Sequence, residues 1–241
     1  MNIILGIYYN ETVDSQRNIH APSDSYEYFE KWHKSIKSLN LKAVILHDNS
    51  CSKSFCEQYE DDNLSFSKSP KYSYYNDCNF FNYSTKFLDI YEYLKLNKYD
   101  KVLITDISDV IIKKNPFELI NENNLIIGSE SREDGHILTP KDTGWHRAVF
   151  GSYVDNYECF WDKYAFNVGI LGGSYNTLTA LLKSFQEKYS AKSWTKTPMD
   201  GFLISNIVHT EFSDRFQTGL PVHSVFKKYE NNHPEAYIVH K

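Results

Sequence analysis

The feature that most narrows the fold is an alternation of short apolar runs with amphipathic helical stretches. Residues 3–9, IILGIYY, form a run of strand length, followed by the polar loop NETVDSQRN. Residues 23–40, SDSYEYFEKWHKSIKSLN, put Phe29, Trp32, Ile36 and Leu39 on one face of a helix, with Ser23 or Asp24 near its N-cap. Residues 42–48, KAVILHD, supply a second strand. Strand, helix and strand make a βαβ unit, which favours a parallel sheet with right-handed crossovers.

The alternation continues. Helical spacing returns at 84–97 with Phe87, Ile90, Tyr91 and Leu94, and KVLITD (101–106) is the continuous apolar run of a central strand. LIIGSE (125–130) and YAFNVGILGGS (164–174) are further strands, the second closed by two glycines. Helices are expected at 176–190 and, after Pro198, at 197–210; LPVHSVF and AYIVHK supply late strands. Residues 49–82 are polar and aromatic and read as loops around one short strand. The long polar segment 131–163 is of a length usually reserved for function. With no internal repeat and no linker, the expectation is one α/β domain over 1–241, a mostly parallel central sheet flanked by helices.

Bulk properties exclude several classes. A formal net charge of −5 provides no basic field for nucleic acid. No run of about 18 apolar residues encodes a membrane span. The N-terminal MNIILGIYYNET lacks a basic n-region and reads as a strand and not a signal peptide, so a cytoplasmic protein with reduced thiols is expected. The four cysteines, Cys51, Cys56, Cys78 and Cys159, include no CxxC pair, which argues against a zinc ribbon or a thioredoxin site; Cys51 and Cys56 are close enough in sequence to bridge. The 19 Tyr and 15 Phe suit stacking on sugars or bases, although a bias towards Asn, Lys, Tyr, Ile and Phe explains most of them.

The chemistry concentrates in KVLITDISDVIIKKNPFELI (101–120), where an apolar strand ends on Asp106 and Asp109. In open α/β sheets, ligands bind beyond the carboxyl ends of strands at a switch in strand order. Two adjacent carboxylates repel, and one takes up a proton unless a cation intervenes. Mg²⁺ or Mn²⁺ resolves the conflict, since hard cations prefer oxygen ligands and keep positions open for phosphates. Capping of the following turn accounts for either aspartate taken alone.

Four segments, in order, carry a resemblance. YDKVLITDISDVIIKKNPFEL resembles the metal-binding segment of GT-A nucleotide-sugar-dependent glycosyltransferases, in which a strand ends in a DxD motif. FNVGILGGS resembles the segment lining the sugar pocket in the glycogenin and galactosyltransferase group. MDGFLISNIV resembles a later helix opened by an aspartate, and YIVHK resembles a C-terminal strand whose histidine completes the metal shell. The motif here is D-I-S-D, so either Ser108 or Asp109 takes the second ligand position after Asp106.

The resemblance implies a GT-A, Rossmann-like fold with a nucleotide-binding part over about 1–130 and an acceptor-side part over about 131–241. It implies Asp106, Asp109 and His240 as metal ligands, and Asp200 and Asn167 as catalytic residues beside the donor sugar. Tyr8, Tyr9, Asn10 and Asp48 would cradle the nucleoside, and Lys86 and Lys241 would face the diphosphate. Gly169, Gly172 and Gly173 would allow close backbone approach to the sugar, with Glu130, Trp145 and Trp161 on the acceptor side. The implied reaction moves a hexose from a nucleotide sugar, UDP-linked before GDP-linked, to a hydroxyl on a glycan or protein, with retention of configuration. The competing class is a carbohydrate-binding protein that keeps the fold without transfer.

Overall fold

The computed structural model describes residues 1–11, 20–49, 51–69, 82–131, 136–139, 142, 162–190, 200–224 and 233–240. In chain order its elements are β1 (Ile3–Tyr8), α1 (Glu30–Ser38), β2 (Ala43–His47), α2 (Lys53–Tyr59), β3 (Leu64–Lys68), α3 (Asn82–Leu96), β4 (Lys101–Thr105), β5 (Val110–Ile112), β6 (Leu125–Ser129), β7 (Phe166–Ser174), α4 (Tyr175–Ser190), α5 (Asp200–Glu211), β8 (Phe216–Gln217) and β9 (Ile238–His240).

Seven strands form one sheet in the order β3-β2-β1-β4-β7-β6-β8. Pairings β1–β2, β1–β4, β2–β3 and β6–β8 are parallel, and β7 runs antiparallel to both β4 and β6. The expected mostly parallel α/β sheet is therefore present. From β1 the chain builds outward through β2 and β3, then returns to lay β4 on the other side of β1. The switch in strand order lies between β1 and β4, and the crevice beyond their carboxyl ends is where such sheets bind ligands.

Both faces of the sheet are covered, which is why its strands read as continuous apolar runs. Leu5, Val44, Val102, Ile104 and Leu171 pack on the face covered by α3, α4 and α5, with Phe87, Leu182 and Phe185. Ile4, Ile45, Leu103 and Ile170 point the other way, against Trp32 and Ile36 of α1 and Phe55 of α2. Trp32 also donates its indole N–H to Thr105 Oγ1 at 2.7 Å, which ties α1 to the last residue of β4.

Several elements depart from the sequence expectation. Neither Ser23 nor Asp24 caps α1: a 3₁₀ turn over Tyr26–Tyr28 precedes it, and its N-cap Phe29 makes no side-chain cap bond. Asp24 sits at φ 47, and its Oδ1 accepts from the Ser52 backbone N–H at 2.9 Å. The stretch expected to hold only a short strand also holds α2, capped by Ser52, which accepts from Phe55 N–H. β5 and β8 span three and two residues, too few to show a period. Of LPVHSVF, the described part makes only an isolated parallel bridge between His223 and Ile238.

One packing detail shapes the site. A Cβ on Gly6 would lie 2.3 Å from Ile107 Cγ2 and 3.3 Å from Trp32 Cζ2, so the missing side chain forms a notch that seats Ile107. Ile107 is the buried residue between the two aspartates. Gly6→Val fills the notch and is expected to lower stability by about 1–3 kcal/mol through overpacking. Denaturant unfolding checks this, and an unchanged midpoint would show that Ile107 is not seated there.

Candidate active site

β4 delivers Asp106 to the switch point. The Asp106 backbone N–H donates to Gly169 O at 2.9 Å, extending the antiparallel β4–β7 ladder by one residue. Ile107 turns into the core, and the chain reaches Asp109 and then β5. β5 pairs antiparallel with β9 so that Val110 faces His240. This register brings the His240 ring back over the carboxylates: its Nε2 lies 3.9 Å from Asp106 Oδ2 and 3.9 Å from Asp109 Oδ1. One ligand atom from each of the three residues lies within 4.8 Å of the others. Although penultimate in the chain, His240 is only 3% exposed, because β9 holds it. Asp106 and Asp109 are half-buried.

Glycine at position 169 is a requirement of this geometry. A Cβ there would lie 2.4 Å from His240 Cε1 and 2.6 Å from Asp106 Oδ2. Burial, only partly opposed by the Asp106 carboxylate, holds the His240 imidazole down to about 4, so the ring is neutral near pH 7.

Lys86 balances the charge from the other side. Buried on α3, it places Nζ 3.1 Å from Asp106 Oδ1 and 5.0 Å from the centroid of the Phe87 ring. Burial is the largest influence on Lys86 and opposes its charge. Asp106, Asp200 and Asp109 together outweigh it and hold the ammonium above the ordinary lysine range. Asp200, the buried first residue of α5, is also shifted upward: burial pushes its carboxyl up, while Lys86 and the Gly201 N–H pull it part of the way back. Lys86 is thus a shared counterion for Asp106 and Asp200. Asn167 is fixed at both ends of its amide, since Nδ2 donates to Glu130 Oε1 at 3.0 Å and Oδ1 accepts from Gly169 N–H at 3.0 Å.

The residues expected to cradle a nucleoside divide. Tyr9 donates its hydroxyl to Asp89 Oδ2 at 2.6 Å and lies 2.8 Å from Ser69 Oγ. The backbone N–H groups of Asn10 and Glu11 both donate to Asp48 Oδ2, at 2.9 and 2.8 Å, so Asp48 clamps the end of β1 to the end of β2. The Tyr8 ring instead enters the core, stacked on Tyr28 at 5.4 Å. Its hydroxyl donates to the Pro22 carbonyl, and burial pushes it up to about 12. Tyr8, expected to help cradle the nucleoside, is therefore a packing residue, because it lies on the α1 side of the sheet.

Gly172 and Gly173 are not at the site either. They do stand near a strand end, but the antiparallel sense of β7 pairs them with Leu103 and Val102, away from Asp106. A Cβ on Gly172 would lie 2.9 Å from Ile126 Cγ1 and 3.0 Å from Leu103 Cδ1, so this glycine serves packing within the sheet. Lys241, Trp145 and Trp161 lie outside the described residues.

Two contributors had no sequence signal. Asp89 anchors Tyr9 from the middle of α3. His223 is buried, donates Nδ1–H to Ser224 O and accepts the Ser129 N–H at Nε2 at 3.0 Å; that pattern requires a neutral ring, and burial holds it below the ordinary histidine range.

No protein-family model and no curated protein matches the chain. Among solved structures, it is similar to the galactosyltransferase LgtC, whose crystal structure holds donor and acceptor sugar analogues. The identity is 14% and the TM-score 0.50, over 100% of this chain and 86% of the other. The chain has the GT-A glycosyltransferase fold. No helix among the described residues is long and apolar enough to cross a membrane.

The buried imidazoles set a pH dependence. A folded pKa of about 4 for His240 lies below the unfolded value of 6.5, so the unfolded chain takes up the proton first as pH falls. The associated stability is fully present above pH 6.5 and is lost towards pH 4, and His223 acts in the same direction. Between pH 7.5 and 5, His240 alone is expected to cost about 2 kcal/mol. Metal-free unfolding titrations at the two pH values measure this, and equal stabilities contradict burial of neutral rings.

Proposed function

We propose that this chain is a metal-dependent glycosyltransferase that moves a hexose from a UDP-sugar to a hydroxyl on a glycan or protein. The observation that carries the reading is the convergence of Asp106, Asp109 and the neutral His240 at the switch point of a GT-A sheet. Two carboxylate oxygens and one imidazole nitrogen suit Mn²⁺ or Mg²⁺. Asp109 is the better second ligand than Ser108, because an anionic oxygen binds a hard cation more strongly than a hydroxyl. When bound, the cation supplies charge neutralisation for a diphosphate leaving group.

The chain's own residues divide the remaining work. Lys86, already charged beside Asp106, presents its ammonium to the phosphates. Lys241, next to His240 in the chain, adds a second positive charge. Asn167, held rigid by Glu130 and Gly169, hydrogen-bonds a donor-sugar hydroxyl without first paying for its own ordering. The Asp200 carboxyl stands near Lys86 and either holds another hydroxyl or stabilises positive charge developing at the anomeric carbon. Tyr9 and Asn10, at the end of β1, meet the nucleoside. In the transfer the bond from the anomeric carbon to the diphosphate oxygen breaks, and the acceptor oxygen forms its bond on the same face. The acceptor proton leaves with the diphosphate.

A hydrolysis screen of UDP- and GDP-hexoses with Mn²⁺ and with Mg²⁺ tests the reading. One or two UDP-sugars are expected to turn over, and Asp106→Asn is expected to lower kcat by about 100-fold or more while the protein stays folded by circular dichroism. Wild-type turnover in that variant contradicts the assignment. Metal-dependent nucleotide binding without turnover of any donor or acceptor moves the protein to the carbohydrate-binding class.

A further inference from the structure

A second cluster of metal-ligating side chains lies at the carboxyl end of β2. His47 is the last residue of β2, Cys51 follows in the connection, and Cys56 is on α2. The sequence shows no CxxC spacing; the fold supplies the third partner by bringing the histidine back over the pair. Cys51 Sγ and Cys56 Sγ are 3.4 Å apart, Cys56 Sγ and His47 Nε2 are 3.9 Å apart, and all three ligand atoms fall within 4.8 Å of one another. A tetrahedral zinc with Zn–S near 2.3 Å and Zn–N near 2.0 Å needs sulfur–sulfur and sulfur–nitrogen edges of about 3.8 and about 3.5 Å. Two of the three edges stand close to those spacings, and the third lies within 4.8 Å.

The histidine is set up for coordination. Its Nδ1 lies 2.8 Å from the Asp48 carbonyl oxygen, and a carbonyl only accepts, so the proton is on Nδ1. The lone pair is then on Nε2, the nitrogen that faces Cys56. A backbone carbonyl orienting the ring through the non-ligating nitrogen is the usual outer-shell arrangement of metal-bound histidine. The ring also packs edge-on to Phe66, with centroids 6.3 Å apart.

We propose that His47, Cys51 and Cys56 bind a zinc ion, with the fourth position left to a solvent molecule. The donor set of two sulfurs and one nitrogen selects a borderline-soft cation over Mn²⁺ or Mg²⁺, so this site and the Asp106–Asp109–His240 cluster do not compete for the same metal. Both thiols are buried, and a thiol gives up its proton when it ligates, so zinc binding releases two protons and forms two Zn–S bonds and one Zn–N bond. The ion ties α2 to the end of β2, one residue before Asp48, whose carboxylate holds the Asn10 and Glu11 amides beside the switch point. Zinc there stiffens the wall next to β1, whatever reaction the other cluster serves.

Cobalt titration of the reduced full-length chain tests the site, because Co²⁺–thiolate charge-transfer absorption marks sulfur ligands and an oxygen–nitrogen site gives none. One equivalent of Co²⁺ is expected to produce a band of two-thiolate intensity, which one equivalent of Zn²⁺ bleaches. Zinc binding in weakly buffered solution is expected to release about two protons. The band is expected to persist in Cys78→Ser/Cys159→Ser and in Asp106→Asn, and to be lost in Cys51→Ser/Cys56→Ser. The wild-type titration decides the matter even if the last variant fails to fold. Absence of the band, its loss in Cys78→Ser/Cys159→Ser, or a disulfide between Cys51 and Cys56 that resists reductant overturns the proposal. Because Asp106→Asn keeps the band, failure of the glycosyltransferase reading and failure of the zinc site are separable.

Discussion

Everything near the switch point follows from placing Asp106 and Asp109 together at the end of a buried strand. Two carboxylates this close raise each other's proton affinity and cost stability unless positive charge reaches them. The fold brings that charge from one side and a neutral nitrogen donor from the other. α3 brings up Lys86 at 3.1 Å from Asp106, and the β5–β9 pairing brings up His240 at 3.9 Å from both carboxylates. Gly169 leaves the space in which the imidazole and carboxylate meet. Removing any one of these elements leaves a buried group without its counterpart.

The two bases are not equivalent. Lys86 keeps its charge despite burial because three aspartates surround it, whereas burial keeps His240 neutral. In the proposed function a lone pair next to two carboxylate oxygens would serve as a ligand set, and the ammonium beside it as a phosphate contact. The same environment would then suit a cation on one side and an anion on the other. The zinc site proposed at β2 uses a different principle, soft sulfur donors and an oriented imidazole, and acts on the neighbouring strand end.

Much of the framework was legible because it depends on local pattern. The apolar runs of β1, β2, β4 and β7 and the helical spacing of α1, α3 and α4 reflect burial on both sheet faces. The positions of the proposed site residues were legible where a strand end dictates position, as for Asp106, or where an apolar strand anchors the side chain, as for His240. What failed depended on long-range sense and register. Gly172 and Gly173 stand near a strand end, but β7 is antiparallel, and only the β4–β7 pairing shows which end of the sheet they occupy. Tyr8 belongs to the core because of which face of the sheet its side chain takes, a parity that one apolar run does not display. The α2 helix was hidden by a short polar composition, and Asp89 and His223 act through partners 80 and 94 residues away.

The proposed function requires Asp106, Asp109 and His240 together to hold one divalent cation. Electron paramagnetic resonance of free Mn²⁺, titrated against protein in the presence of UDP, counts bound metal directly. One Mn²⁺ per chain is expected for the wild type, and affinity weakened about tenfold or more for Gly169→Ala, whose new methyl group intrudes between His240 and Asp106. Equal Mn²⁺ binding by the two proteins, or none by the wild type, contradicts it.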